Sequence, residues 1–170
     1  MSFKLIGAVL VLCGCGFVGF STCAAYRREE HQLRQMLSAM DHMVCELQYR
    51  VTPLPELCRQ ASAQREGFVK LLFSNLASEL DAQVSPDVQS CLAVAAAQSG
   101  SLSPRLEEAI CILGASLGCF DLQGQLQGLE SVRSYCSTEL KQMADGREHR
   151  LRSYQTLGLC AGAALAILLV

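Results

Sequence analysis

Three histidines and ten cysteines are the residues of this chain whose types can do chemistry. The nearest approach to a metal-ligand set is His42, Cys45 and Glu46, with His42 and Glu46 four apart on one helical face. Cys45 falls off the centre of that face, His31 lies too far along to join, and no second Cys/His group stands nearby. The set therefore reads as the polar face of a helix. Cys119-Phe120-Asp121 puts a thiol beside a carboxylate, but a nucleophilic cysteine needs a histidine partner and an orienting third group. His31, His42 and His149 lie in charged stretches that suit solvated residues, and Asp121 explains itself as a helix N-cap. The phosphate-cradling pattern GxxxxGK followed by Ser or Thr is absent, as is HExxH. No catalytic, cofactor-binding or metal-binding residue is assigned, and the chain reads as a non-enzyme.

The other reactive types also have plain readings. Cys45, Cys58, Cys91, Cys111, Cys119 and Cys136 form no CxxC pair and occupy apolar helical settings, as small reduced hydrophobes do. A redox or metal-sensing membrane enzyme would rest on the cysteine count alone. Glu29-Glu30, Glu107-Glu108 and Glu139 read as solvated charges on helix faces.

The elements that carry these residues are helical. The middle of the chain is Leu- and Ala-rich, has no Trp and has few β-branched runs. From Arg27 to Arg50, Leu33, Met36, Leu37, Met40, Met43, Val44 and Leu47 recur at steps of three and four, one apolar stripe. No breaker separates this helix from the apolar run before it, so the two form one rod. Thr52-Pro53-Leu54-Pro55-Glu56 stops and restarts the chain, with Thr52 as an N-cap and proline in the first turn of a helix over Leu54 to Gln64. A third helix carries Phe68, Leu71, Leu72, Leu76 and Leu80. Ser85-Pro86-Asp87 and Ser103-Pro104-Arg105 open two more, the first ending near Gly100 and the second near Gly118. Asp121 caps a last long helix with Leu122, Leu126, Leu129, Val132, Cys136, Leu140 and Met143 on one side, weakened by Gly124, Gly128 and Gly146. Short connections between helices predict an all-α fold, an antiparallel bundle of about six helices.

Two apolar runs bracket that bundle. Leu5 to Ala25 carries no charge and passes the length test for a hydrocarbon core of roughly 30 Å. Tyr154 to Val170 is at the short end of the spanning range, with Tyr154 as an interfacial anchor. Arg27, Arg28 and Arg34 follow the first run, and Arg147, Arg150 and Arg152 precede the second, whereas Lys4 alone lies on the far side. The positive-inside bias puts the middle in the cytoplasm and both termini outside. The expected organisation is a membrane span and short external N-terminus over 1–26, a cytoplasmic bundle over 27–153 and a second span over 154–170. A rival reading takes Leu12-Cys13-Gly14-Cys15 as a lipoprotein cleavage box, which makes the chain a lipid-anchored extracytoplasmic binding protein held through Cys15. That reading sets the arginines on the wrong side of the membrane and leaves the apolar run continuing through Phe17, Val18 and Phe20.

At 170 residues and a net charge of −2 the chain has room for one ordinary domain outside the membrane and no basic field for nucleic acid. Gly114 and Gly118 stand four apart, as do Gly158 and Gly162 with Ala166 one step on, and Cys15 and Gly19 offer a matching strip. In a membrane such spacing permits close helix approach.

Taken in order, Gln32-Leu33-Arg34, Glu46-Leu47-Gln48-Tyr49, Thr52-Pro53-Leu54-Pro55-Glu56-Leu57, Leu113-Gly114-Ala115-Ser116-Leu117-Gly118, Asp121, Gln125 and Tyr154-Gln155-Thr156-Leu157-Gly158 resemble the stage III sporulation protein AB family of endospore-forming Firmicutes. The resemblance covers essentially the whole chain, with TPLPE and LGxxLGxxDxxxQ as its more specific elements. It implies a cell-membrane protein of the mother cell, in the outer forespore membrane, within the complex that joins mother cell and forespore. It also implies a soluble domain similar to that of the platform protein of type II secretion and type IV pilus machines. The partners it implies are the complex's cytoplasmic ATPase, stage III sporulation protein AA, and the other membrane subunits, with no small-molecule substrate. This chain departs from the pattern at Cys119-Phe120, at Arg50-Val51 and across Asp81 to Ser101, which leaves the partner-facing surface open.

Overall fold

A computed structural model describes the backbone of residues 2–50, 52–82, 87–100, 102–117 and 121–169, with side chains from residue 24 to residue 146 of those stretches. The described residues form α1 (Ser2–Arg50), α2 (Leu54–Ala63), α3 (Gly67–Ala82), α4 (Val88–Ser99), α5 (Pro104–Ser116) and α6 (Leu122–Leu169), with no strand among them. α1 runs on through the first apolar run, as the lack of a breaker predicts, and α6 runs on into the second despite its glycines. The chain divides into two compact units, Met1–Arg28 with Lys141–Val170, and Glu29–Leu140.

The helix starts follow capping chemistry, though not always at the expected residue. Ser103 accepts from the Leu106 amide with Pro104 at the first helical position, and Asp121 accepts from the Gly124 amide at 3.0 Å. Thr52 does not cap α2. Pro53 takes the cap position (φ −57, ψ 144), and its carbonyl receives the Leu57 amide at 2.9 Å. The Thr52 hydroxyl turns back instead and donates to the Glu46 carboxylate at 3.5 Å. At α4 the cap is Asp87, which accepts from the Ser90 amide at 3.2 Å; Ser85 and Pro86 lie outside the described residues. α5 ends at Ser116, and Gly118 lies outside the described residues. Two connections use backbone that L side chains rarely adopt: Gly67 at φ +59 and Gly100 at φ +111.

Within Glu29–Leu140, α2 packs on α3, α3 on α4 and α4 on α5. Leu33, Met36, Ala39, Met40, Met43, Val44 and Leu47 bury one face of α1, with Leu37 at the margin. Each fully buried Leu or Met side chain is worth about 1.5–3 kcal/mol over its exposed state. Leu71 and Leu122 were expected on apolar faces but are exposed. In α3 the buried face runs instead through Phe68, Val69, Leu72, Phe73 and Leu76, while Leu122 is only the first residue of α6. Buried Ser99 is satisfied: Asn75 donates to its Oγ at 3.2 Å, and Ser99 donates to the Ala95 carbonyl at 2.6 Å. Asp41 of α1 meets Arg133 of α6, and Glu29 lies opposite Glu139, so the numbers rise along one helix as they fall along the other. These stretches of α1 and α6 are antiparallel.

Among the described residues no helix is long and apolar enough to cross a membrane. The two runs expected to do so, 5–25 and 154–170, lie almost wholly outside the residues whose side chains are described, and Gly158 and Gly162 fall there.

Candidate functional site

The residues singled out by motif do not converge on one site. Thr52, Leu54 and Pro55 are half-buried and Pro53 is exposed, and together they make the corner between α1 and α2. Tyr49, just before that corner, is 81% exposed. Gly114 is buried in α5, where a β-carbon would meet Leu92 Cδ2 at 3.2 Å and Gln89 Cγ at 3.4 Å. It is thus the contact point of α5 with α4. Asp121 and Gln125 form the first turn of α6, the Gln125 amide donating to the Asp121 carbonyl at 3.0 Å. These are folding elements by their contacts: a corner, a close approach and a cap.

His42, Cys45 and Glu46 share one turn of α1, and no group of three or more potential metal ligands occurs among the described residues. The cysteines split into two kinds. Cys58, Cys91 and Cys136 are buried, whereas Cys45 and Cys111 are exposed, which corrects the expectation that all the mid-chain thiols are apolar filler. Cys119 lies outside the described residues. Burial pushes the Cys58 thiol up to about 12 and Cys136 to about 11. A thiol so placed stays protonated and unreactive.

A charged cluster that sequence reasoning missed joins three helices. Arg105, at the second position of α5, donates through Nε to Glu139 of α6 at 2.6 Å, and its Nη1 lies 3.1 Å from Glu29 of α1. The Arg105 side chain is 34% exposed and each glutamate 16%. Glu29 and Glu139 are therefore not the solvated face charges expected of them. One planar fork reaches both carboxylates at once through separate nitrogens, a fixed geometry that a lysine ammonium does not offer. Burial alone pulls the guanidinium down, but the hydrogen bonds to Glu139 and Glu29, with their charges, outweigh it and hold Arg105 above its ordinary value. Beside it, Tyr135 donates to Glu108 at 3.5 Å, and burial with the charges of Glu108 and Glu139 raises the phenol to about 12. Arg133 likewise links Asp41 (2.6 Å) and Glu130 (3.1 Å), in a more exposed setting. Glu130 and Arg133 stand three apart on α6, but no spacing rule flags the pairs of Arg105 with Glu29 and Glu139 or of Arg133 with Asp41, because those partners sit on different helices.

The arrangement is one of helices clamped together by ion pairs and close glycine contacts, with an exposed aromatic at one corner. A family model described as stage III sporulation protein AB matches residues 4–170, both terminal runs included. The chain belongs to that family. It is similar to stage III sporulation protein AB of Bacillus subtilis (strain 168), 24% identical over 170 residues, with 98% of this chain and 99% of that protein covered. A solved structure of stage III sporulation protein AB matches with a TM-score of 0.63 at 20% identity, covering 72% of this chain and 98% of that one. At that identity the structural likeness speaks for the helical fold alone. The family match and the helical bundle agree with the resemblance carried by TPLPE and LGxxLGxxDxxxQ.

Proposed function

We propose that this chain is a non-enzymatic membrane scaffold of the sporulation-specific, secretion-like complex linking mother cell and forespore. Its spans are residues 5–25 and 154–170, its helical bundle faces the cytoplasm of the mother cell, and that bundle docks the complex's ATPase, stage III sporulation protein AA. The observation that carries the reading is the extent of the family match: residues 4–170 take in both apolar runs and the bundle as one unit. Charge supports the orientation, with Arg27, Arg28 and Arg34 after one run and Arg147, Arg150 and Arg152 before the other. The least exposed ion-pair cluster linking the described helices, Glu29–Arg105–Glu139, is occupied in holding helices together, as suits a rigid docking scaffold.

Co-purification tests it. The full-length chain in mild detergent is expected to retain the cognate ATPase, and loss of association with both termini intact would count against the docking role. Reporter fusions distinguish the orientation: a cytoplasmic signal from the bundle and external signals from both termini are expected. Palmitate labelling through Cys15 with an external bundle would instead favour the lipid-anchored reading.

A further inference from the structure

Within the unit Glu29–Leu140, Arg34, Arg50, Arg59, Arg105 and Arg133 each stand against at least one carboxylate. Arg65, in the turn between α2 and α3, pairs with no carboxylate among the described residues. Its Nη2 donates instead to the Ser38 carbonyl, midway along α1, at 2.6 Å, and its Nη1 to the Gln64 carbonyl at 3.0 Å. Its Nε is shielded from solvent and has no partner among the described residues. Neutral carbonyls fix the direction of a guanidinium without cancelling its charge. The backbone is held as well, the Arg65 amide donating to the Ser62 carbonyl at 3.1 Å just ahead of Gly67. Arg65 is thus a half-buried fork set in one orientation with its charge unmatched.

Its anchor point on α1 relates it to the exposed aromatic at the corner. Ser38 stands eleven residues before Tyr49. Eleven residues at about 100° each complete three turns with roughly 20° to spare, so the two share one face of α1, about 16 Å apart. That face is exposed along its length, through Ser38, Asp41, Cys45, Gln48 and Tyr49. Asp41 is already matched by Arg133, which leaves the guanidinium beside Ser38 as the unmatched charge along this face among the described residues. A contact that covers about 800 Å² of one partner is wide enough to take in both ends. Arginine and tyrosine are also the residue types that dominate the energetics of such contacts.

We infer that Arg65 and Tyr49 anchor one docking face along α1, with Arg65 receiving a carboxylate side chain of the partner protein. The charge pattern selects that chemistry. One unmatched cation on a chain of net charge −2 makes no basic field for a polyanion, whether nucleic acid or an anionic membrane. A single fork takes a single carboxylate, and the tyrosine ring on the same face calls for a protein surface that can desolvate it. Because the guanidinium is already held by two carbonyls, little side-chain freedom is lost when the carboxylate arrives. This inference deepens the docking role proposed above and rests on it, the partner being the ATPase.

The test uses the full-length chain in mild detergent with the cognate ATPase. Arg65→Gln is expected to weaken retention of the ATPase about tenfold or more, and Arg65→Lys, which keeps the charge, by only about threefold. Arg65→Gln also removes the tie to Ser38, so carbodiimide coupling, which joins a lysine amine to a carboxylate in direct contact, supplies the readout that folding alone does not move. The chain's own lysines are Lys4, Lys70 and Lys141, so a cross-linked peptide carrying position 65 of R65K is unambiguous. That peptide is expected to be joined to an aspartate or glutamate of the ATPase. Absence of this product from an R65K complex that forms, coupling of position 65 only to a second copy of this chain, or undiminished retention by R65Q would each overturn the site. A wild-type chain that retains no ATPase defeats the docking role and the site with it. If the wild type retains the ATPase and R65K gives no cross-link, only the site is lost.

Discussion

Gly128 of α6 approaches Ser116 of α5 so closely that a β-carbon built on it would lie 2.1 Å from Ser116 Cβ and 2.5 Å from Ser116 Oγ. Ser116 is itself buried and held in place, donating to the Ile112 and Leu113 carbonyls at 3.0 Å each. The obstacle is thus a fixed part of one helix, not the far end of a flexible side chain. A glycine that costs helix propensity in α6 is what allows the two helices to touch.

Gly128→Ala is accordingly expected to destabilise the chain by about 1–3 kcal/mol, despite the better helix propensity of alanine, because the helices must separate. Gly146→Ala, with nothing within 4 Å of the added carbon, is expected to be neutral or slightly stabilising. Adding Ser116→Gly to Gly128→Ala removes the opposing β-carbon and should restore part of the loss. Thermal melts of the two single variants and the double variant in one detergent check the pattern.

Arg105 makes a second expectation. Substitution by Met leaves Glu29 and Glu139 facing each other, mostly shielded, with no cation between them. The expected loss is about 1–2 kcal/mol, held down by the partial exposure of the guanidinium. Arg105→Lys should recover only a fraction, since an ammonium on a flexible stem lacks the planar, pre-organised fork that holds both carboxylates. A triple variant with Arg105→Met, Glu29→Gln and Glu139→Gln should melt above Arg105→Met alone. Equal melting points for those two would remove the electrostatic account.

Much of this fold was legible in the sequence where local chemistry decides. The stripe from Leu33 to Leu47, the Ser103-Pro104 start and the Asp121 cap depend on residues a few positions apart, and they stand where expected. Thr52 failed as a cap because Pro53 can take that position itself while the threonine hydroxyl finds Glu46. The Arg105 cluster and the Gly128–Ser116 approach were not legible. Glu29 and Arg105 are distant in sequence, and a lone glycine in a helix reads as a weakness until the opposing helix is placed.

The cysteines should separate by reactivity. Peptide-resolved alkylation of the native chain at neutral pH is expected to label Cys45 and Cys111 first, because both are exposed. Cys58 and Cys136, whose thiols burial keeps protonated, should react only on unfolding. Fast labelling of Cys58 in the folded chain would contradict its place on the buried face of α2.

Alkaline pH should act through the same two buried thiols. Each is neutral when protonated, and its folded value, about 12 for Cys58 and about 11 for Cys136, lies above the ordinary 9.0. Their contribution to stability is therefore fully present below about pH 9 and is lost as the pH rises through the folded values, where the unfolded chain has already released its protons. Melting temperature is expected to hold level to about pH 9 and then decline toward pH 12. Cys58→Ala should flatten that decline whatever it does to the melting point at neutral pH. A slope unchanged by Cys58→Ala would assign the alkaline sensitivity to other groups.

Tyr49 carries the functional expectation. At 81% exposed it contributes little packing to the bundle, so Tyr49→Ala should leave the melting temperature within the error of the wild-type chain. An aromatic side chain presented beside a rigid proline corner is, however, the type of residue that dominates protein interfaces once its ring is desolvated by a partner. If the bundle docks the ATPase through the α1–α2 corner, Tyr49→Ala weakens co-purification about tenfold or more, the loss of about 1.4 kcal/mol or more expected of a central anchor. Lys70→Gln, an exposed change on α3, serves as the control and should bind as the wild type does. Undiminished retention of the ATPase by Tyr49→Ala would move the docking face away from this corner, leaving the exposed Leu71, Val94 and Leu122 as the next positions to substitute.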